Sequence, residues 1–142
     1  MPTRAQLSQL AEHEGGHTKL MRAALEGQTE LVKSLIENRA DVNARDDEGH
    51  TALMFAVANM HTNAAKVLMD HGANVNATAD DGTTALMLAA SSGNRDIVQE
   101  LLSRQADVSA RFAASGKTSK MLAREKGYTE IVELLESAGE RD

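Results

Sequence analysis

Gly116, Lys117 and Thr118 have the residue types and the order that end a phosphate-binding loop. In such a loop, backbone N–H groups hold the phosphates, the lysine reaches them and the hydroxyl binds Mg²⁺. The motif also needs a glycine five residues before the Gly-Lys pair, where this sequence has Arg111. A buried strand must precede the loop, but residues 101–110 (LLSRQADVSA) are typical of a helix end and a turn. We therefore predict that the chain has no nucleotide site.

Histidines are the next residues with the chemistry of a site, since imidazole nitrogens suit Zn²⁺. His13 and His17 are four residues apart, and His50 follows His17 after 33 residues. The spacing supplies no evident third ligand, and the chain has no cysteine. We predict solvated or partner-facing histidines, no metal site and no cofactor.

The acidic residues do not form the pattern of a catalytic dyad. They cluster in two short segments, at Asp46, Asp47 and Glu48 and at Asp80 and Asp81. Nothing in these segments indicates the burial that raises a carboxyl pKa, so a solvated acidic rim is favoured. No nucleophile–base pair accompanies them, and we predict a protein without catalytic residues that is not an enzyme.

Composition indicates an all-α fold. The chain has 142 residues, enough for one domain with a continuous core. Aromatic residues are only 2% of it, so the core must be built from Ala, Leu, Val, Ile and the seven Met. Alanine and leucine are strong helix formers, and the only proline is Pro2.

Charge and hydropathy exclude several classes of partner. The formal charge is −6 with a pI of about 5.3, whereas nucleic acids and anionic membranes select basic surfaces. The sequence has no 18-residue apolar run and no signal-peptide pattern at its start. We predict a cytoplasmic protein that binds neither nucleic acid nor membrane.

An internal repeat dominates the sequence. Gly16, Gly49 and Gly82 are spaced 33 residues apart, and a fourth unit begins one residue late at Gly116. Each unit has a threonine suited to cap a helix, an apolar stripe, a short loop and a second apolar stripe. One unit cannot bury both stripes alone, so the units must stack.

The repeated motifs resemble those of ankyrin repeat proteins. The family's Thr-Pro-Leu-His signature has a TALM variant at Thr51–Met54 and Thr84–Met87, with TKLM and TSKM in the outer units. The family's turn between units is present as RADVNA, GANVNA and QADVSA. The resemblance implies an all-α ankyrin-repeat α-solenoid of four stacked helix-turn-helix units with β-hairpin-like finger loops. We predict one domain over residues 1–142, with a capping segment at 1–15 and repeats at about 16–48, 49–81, 82–115 and 116–142.

Departures from the repeat carry further expectations. Arg22 and Lys120 replace apolar residues in the outer units, which favours a chain capped at both ends, with a short helix at residues 4–13. Arg39 and Gln105 replace the turn glycine kept at Gly72, where a positive φ would make them costly. One methionine per unit, at Met21, Met54, Met87 and Met121, is expected to pack in the core.

The resemblance implies that a partner protein contacts a concave face and the fingers. The acidic middle fingers favour a partner with a basic patch, and we expect a monomer when the protein is alone. Phe112 is either a binding anchor or a cover for the last unit's core. The alternatives are a structural or self-associating repeat protein and an engineered repeat scaffold. The predicted partner-binding residues are Arg45, Asp47, Glu48, His50, Asn59, Thr78, Asp80, Asp81, Thr83, Ser92, Arg111, Phe112 and Lys117.

Overall fold

A computed structural model describes residues 16–139 of the chain, and these residues form eight α-helices. The order of elements confirms the predicted all-α class. No helix in this range is long and apolar enough to cross a membrane. The predicted short helix at residues 4–13 lies outside the described residues. The helices are α1 (Lys19–Glu26), α2 (Thr29–Glu37), α3 (Ala52–Ala58), α4 (Thr62–Asp70), α5 (Ala85–Ser92), α6 (Arg95–Ser103), α7 (Ser119–Lys126) and α8 (Thr129–Gly139).

The chain divides into two compact units between Asn74 and Val75, each of them larger than a single repeat. From here on, the first and the second unit are these two parts of the chain, and one copy of the sequence motif is called a repeat. In the first unit, α1 packs against α2 and α3, and α4 packs against α2 and α3. In the second unit, α5 packs against α6 and α7, and α8 packs against α6 and α7. Each unit thus stacks two helix-turn-helix repeats, first helix on first helix and second on second. The single domain and its repeat boundaries stay predictions.

A threonine caps the first helix of every repeat, as the sequence predicted. Each threonine is in extended conformation, and its Oγ1 accepts from the backbone N–H three residues on. This bond satisfies one of the N–H groups that a helix start leaves without a partner. The pairs are Thr18 with Met21, Thr51 with Met54, Thr84 with Met87 and Thr118 with Met121, at 3.1 to 3.4 Å.

The methionine stripe enters the core in three of the four repeats. Met21, Met54 and Met87 are buried, whereas Met121 is 40% exposed. The expectation of a buried methionine is therefore wrong for Met121. Its helix, α7, belongs to the last repeat, and no further repeat packs over it within the described residues.

The turn after the second helix requires a left-handed residue, as predicted. Gly72 has φ 92°, and the residues in the same position, Arg39 and Gln105, have φ 70° and 67°. Met60 replaces a glycine of the loop between helices and has φ 60°. In this region the Cβ of a non-glycine residue costs roughly 1 kcal/mol or more.

Arg39→Gly and Gln105→Gly are each expected to raise the free energy of unfolding by about 1 kcal/mol, because glycine removes the Cβ that opposes a positive φ. Both side chains are exposed, so little packing is lost. Urea unfolding measures the gain. Arg39→Ala is the control, since it shortens the side chain but keeps the Cβ. A lower melting temperature for both glycine variants would show that the turn tolerates these residues without cost.

The asparagine of the DVNA segment (residues 41–44) and that of the NVNA segment (residues 74–77) each join successive repeats within one unit. In the first unit, Asn43 Nδ2 donates to the Gly72 carbonyl at 3.0 Å, and Asn43 Oδ1 accepts from the Asn74 N–H at 2.7 Å. In the second unit, Asn76 makes the equivalent bonds to Gln105 and Asp107 at 3.2 and 2.7 Å. These bonds give backbone groups of the next turn a partner, which is the physical role of this motif.

Ser119 is a local mismatch in the last repeat. It occupies the position of Ala52 and Ala85, and its hydroxyl is buried without a hydrogen-bond partner in the described part of the chain. We expect Ser119→Ala to raise the free energy of unfolding by about 1 kcal/mol, since the change removes an unsatisfied buried group. Ser92→Ala is the control, because the Ser92 hydroxyl donates to the Leu88 carbonyl at 2.8 Å and its loss should destabilise. Equal effects of the two changes in urea unfolding would contradict this prediction.

Candidate protein-binding surfaces

Two short fingers share one turn geometry, each within its own unit. In the first finger (residues 45–50), the Asp46 N–H donates to the His50 carbonyl at 2.9 Å. In the second finger (residues 78–83), the Ala79 N–H donates to the Thr83 carbonyl at 2.9 Å. A glycine of positive φ completes each turn, so that the residues between stand out at the tip.

Asp46 lies beneath the first finger rather than on its rim. It is only 8% exposed, and its Oδ1 accepts from the backbone N–H groups of Glu48 and His50 at 2.9 and 2.8 Å. The prediction of a solvated carboxylate is therefore wrong for Asp46. The side chain of this aspartate instead holds the turn closed, as aspartates do when they bond to the backbone two residues on.

The pKa of Asp46 reflects two opposing effects. Burial alone would raise its pKa, because a low-dielectric site disfavours the charged form. Hydrogen bonds from the His50 and Glu48 backbone, together with the His50 imidazole, outweigh this effect and lower the pKa below its ordinary value. Asp46 is therefore a carboxylate at neutral pH and a strong acceptor.

Two histidines converge on this carboxylate. His17 Nε2 lies 3.1 Å and His50 Nδ1 lies 3.3 Å from the same oxygen, Asp46 Oδ2. Both rings also contact Phe55, with centroid distances of 5.4 and 5.8 Å. The sequence predicted solvated or partner-facing histidines and did not indicate this cluster. Within residues 16–139, no three His, Cys, Asp or Glu side chains are placed to hold a metal ion.

The other predicted residues of the first unit lie at its surface. Arg45, Asp47 and Glu48 are exposed at the tip of the first finger. Asn59 is exposed at the end of α3, where its Nδ2 donates to the Phe55 carbonyl at 3.1 Å. The first finger and the end of α3 therefore both present polar side chains to solvent.

The second finger presents Thr78, Asp80 and Asp81, which are exposed. Thr83 differs, because it is only 5% exposed and its hydroxyl donates to Asp81 Oδ1 at 2.6 Å. Thr83 therefore supports the tip from beneath. Ser92 is half-buried, and its hydroxyl donates to backbone carbonyls of its own helix.

The third finger (residues 111–117) is one residue longer. Phe112 N–H donates to the Lys117 carbonyl at 2.9 Å, which places Phe112 at the base, where the other fingers have Asp46 and Ala79. Phe112 is half-buried there rather than exposed at the tip, and the choice between a binding anchor and a core cover stays open. The added length lies in the exposed residues 113–115.

The charged residues of the third finger bond within their own unit. Arg111 Nη1 donates to the Gly116 carbonyl at 2.8 Å, and Lys117 Nζ lies 2.7 Å from Glu125 Oε1. The structure therefore gives Arg111 a role in closing its turn. A binding role for Arg111, Phe112 and Lys117 stays a prediction.

The sequence matches a known protein family. A family model described as ankyrin repeats (3 copies) matches residues 20–112 and 79–141, which together span most of the chain. No curated protein matches the sequence.

Proposed function

We propose, because this chain belongs to the ankyrin repeat family, that it is a non-catalytic module that binds a partner protein through its fingers and the adjoining first helices. Proteins of this family generally serve protein–protein interaction and are generally not catalysts. The proposal assigns the contact to the concave face that the resemblance implies.

The observation that carries the proposal is the acidic tip of the first finger. Asp47 and Glu48 are exposed side by side, while the carboxylate that holds the turn, Asp46, lies beneath them. The tip residues are therefore not needed to close the turn and remain available to a partner. Two adjacent carboxylates favour a basic patch on the partner, and they make the association rate fall with added salt.

Affinity capture from a lysate tests this function with three forms of the chain. The wild type is compared with a finger variant and with a control variant of equal charge change on the second helices. We expect the wild type and the control variant to retain a protein that the finger variant loses. The finger variant is Asp47→Lys, Glu48→Lys and Asp80→Lys; the control variant is Glu37→Lys, Asp70→Lys and Glu133→Lys, all of them exposed residues.

If the finger variant retained the same partner, the partner would not bind at the fingers. Light scattering on the isolated chain tests the alternative that the protein self-associates. A monomer at micromolar concentration is expected, whereas a dimer or larger species would favour a protein that pairs with its own copy.

A further inference from the structure

A small apolar groove lies beside the first finger, between α1 and α3. It has a volume of about 50 Å³ and is lined by His17, Met21, Arg22, Leu25 and Phe55. A space of this size admits one aliphatic side chain and is too small for a cofactor, whose sites are typically about 300 Å³ or more.

Leu25 is the residue of the groove that the fold does not require. Its side chain is 43% exposed at the end of α1. The same position holds Ala58, Ser91 and Glu125 in the other repeats, so stacking of the helices does not depend on a leucine there. An exposed leucine beside the half-buried ring of Phe55 offers apolar surface that a partner can cover.

The walls of the groove are held in place before any partner arrives. His17 is fixed on one side by its hydrogen bond to the buried Asp46 carboxylate, at 3.1 Å. On the other side its ring meets the Phe55 ring edge-on, at 89° between planes. A fixed wall lowers the entropy that binding must remove, so a small groove can still contribute to affinity.

An exposed cation lies at the groove. Arg22 is exposed on α1, and it has no ion pair within residues 16–139. Three other arginines of the described part form ion pairs: Arg95 with Glu130, Arg104 with Glu100 and Arg124 with Glu136. A guanidinium accepts a carboxylate in a two-point geometry, which gives the groove a charge preference as well as a shape.

We propose that this groove binds an aliphatic side chain of the partner protein that is flanked by a carboxylate. The aliphatic group lies against Leu25 and Phe55, and the carboxylate pairs with Arg22. The inference rests on the proposed protein-binding function and adds a second, chemically distinct contact to it. The partner then offers a basic patch to the first finger and an acidic, aliphatic segment to the groove.

An NMR titration of the ¹⁵N-labelled chain tests the groove with defined probes. The main probe is the acetylated and amidated dipeptide Leu-Asp, and the comparison probes are Leu-Lys and Ala-Asp in the same form. We expect saturable amide shifts around Leu25 and Phe55 with Leu-Asp. Each comparison probe should bind about fivefold more weakly, because it lacks either the carboxylate or the aliphatic group.

Matched variants decide whether the groove itself binds. Leu25→Ser should abolish the shifts, whereas Leu31→Ser should leave them unchanged, since Leu31 is 44% exposed in the same unit but lies outside the groove. Arg22→Gln should weaken Leu-Asp and spare Leu-Lys. Absent shifts, equal binding of all three probes, or an equal effect of both leucine changes would overturn the inference.

The outcome is separable from that of the proposed function. If lysate capture yields a partner that the finger variant loses while the dipeptides do not bind, the groove inference fails and protein binding stands. If the dipeptides bind at the groove and no partner is captured, the groove stands and the finger surface loses its support.

Discussion

Asp46→Ala is expected to lower the free energy of unfolding by about 3 kcal/mol, a large part of the stability of a small domain. The change removes the acceptor of two backbone N–H groups, those of Glu48 and His50, at 2.9 and 2.8 Å. It also leaves the imidazole of His17 without the carboxylate it faces. The loss of these two part-buried hydrogen bonds accounts for most of the expected effect, because hydrogen bonds to a charged acceptor are the stronger ones.

Urea unfolding at neutral pH measures this loss, and the neighbouring residue provides the control. Asp47→Ala removes an exposed carboxylate and should change the free energy of unfolding by less than about 0.5 kcal/mol. If Asp46→Ala were as mild as Asp47→Ala, the buried aspartate would not be what holds the first finger closed.

The same carboxylate predicts how stability depends on pH. Burial opposes ionisation of Asp46, but the amide and imidazole hydrogen bonds outweigh it and set the pKa below the ordinary value of 3.8. A group with a lowered pKa in the folded state stabilises the fold above its unfolded pKa and loses that effect as pH falls through the folded pKa. As the pH falls below 3.8, the free energy of unfolding of the wild type should therefore decrease more steeply than that of Asp46→Asn. Urea unfolding at several pH values measures both slopes, and equal slopes would contradict a lowered pKa of Asp46.

Gly82→Ala is also expected to have a large effect, lowering the free energy of unfolding by about 2–4 kcal/mol. Gly82 has φ 87°, and a Cβ there would lie 2.7 Å from the Arg111 carbonyl oxygen and 3.1 Å from the Ala113 nitrogen. Both neighbours are backbone atoms of the third finger, and the Ala113 N–H donates to the Asp81 carbonyl at 2.9 Å. The added methyl group therefore separates two fingers that are bonded to each other.

Gly116→Ala is the matched control for this change. Gly116 also has a positive φ, 70°, but a Cβ there meets nothing within 4 Å. Only the conformational cost of about 1 kcal/mol should apply. Thermal unfolding of both variants separates the conformational cost of a positive φ from the cost of the clash with the third finger. Equal losses of stability in the two variants would mean that the close approach of the third finger contributes nothing.

Features that depend on a few neighbouring residues could be predicted from the sequence. The helix-capping threonines follow from residue type and position, and so does the positive φ at Arg39 and Gln105, because each is local and the repeat shows it several times. The family match at residues 20–112 and 79–141 agrees with the motifs that carried the resemblance.

Features that join residues far apart in the chain could not be predicted from the sequence. The burial of Asp46 depends in part on His17, which is 29 residues away along the chain. The sequence left two roles open for Phe112, and its place at the base of the turn depends on the bond from its N–H to the Lys117 carbonyl across the finger. The groove at Leu25 likewise forms only when α1 and α3 pack together, so no single segment of sequence indicates it.

The dissociation constant of the captured partner, measured for the wild type, the finger variant and the control variant, tests the central claim most directly. Binding through the fingers predicts that the finger variant weakens the complex by more than about tenfold, while the control variant changes it by less than about twofold. Equal weakening by the two variants would mean that the change in net charge, and not the position of the substitutions, weakens the complex. Unchanged binding by the finger variant would contradict the assignment of the partner site to the fingers.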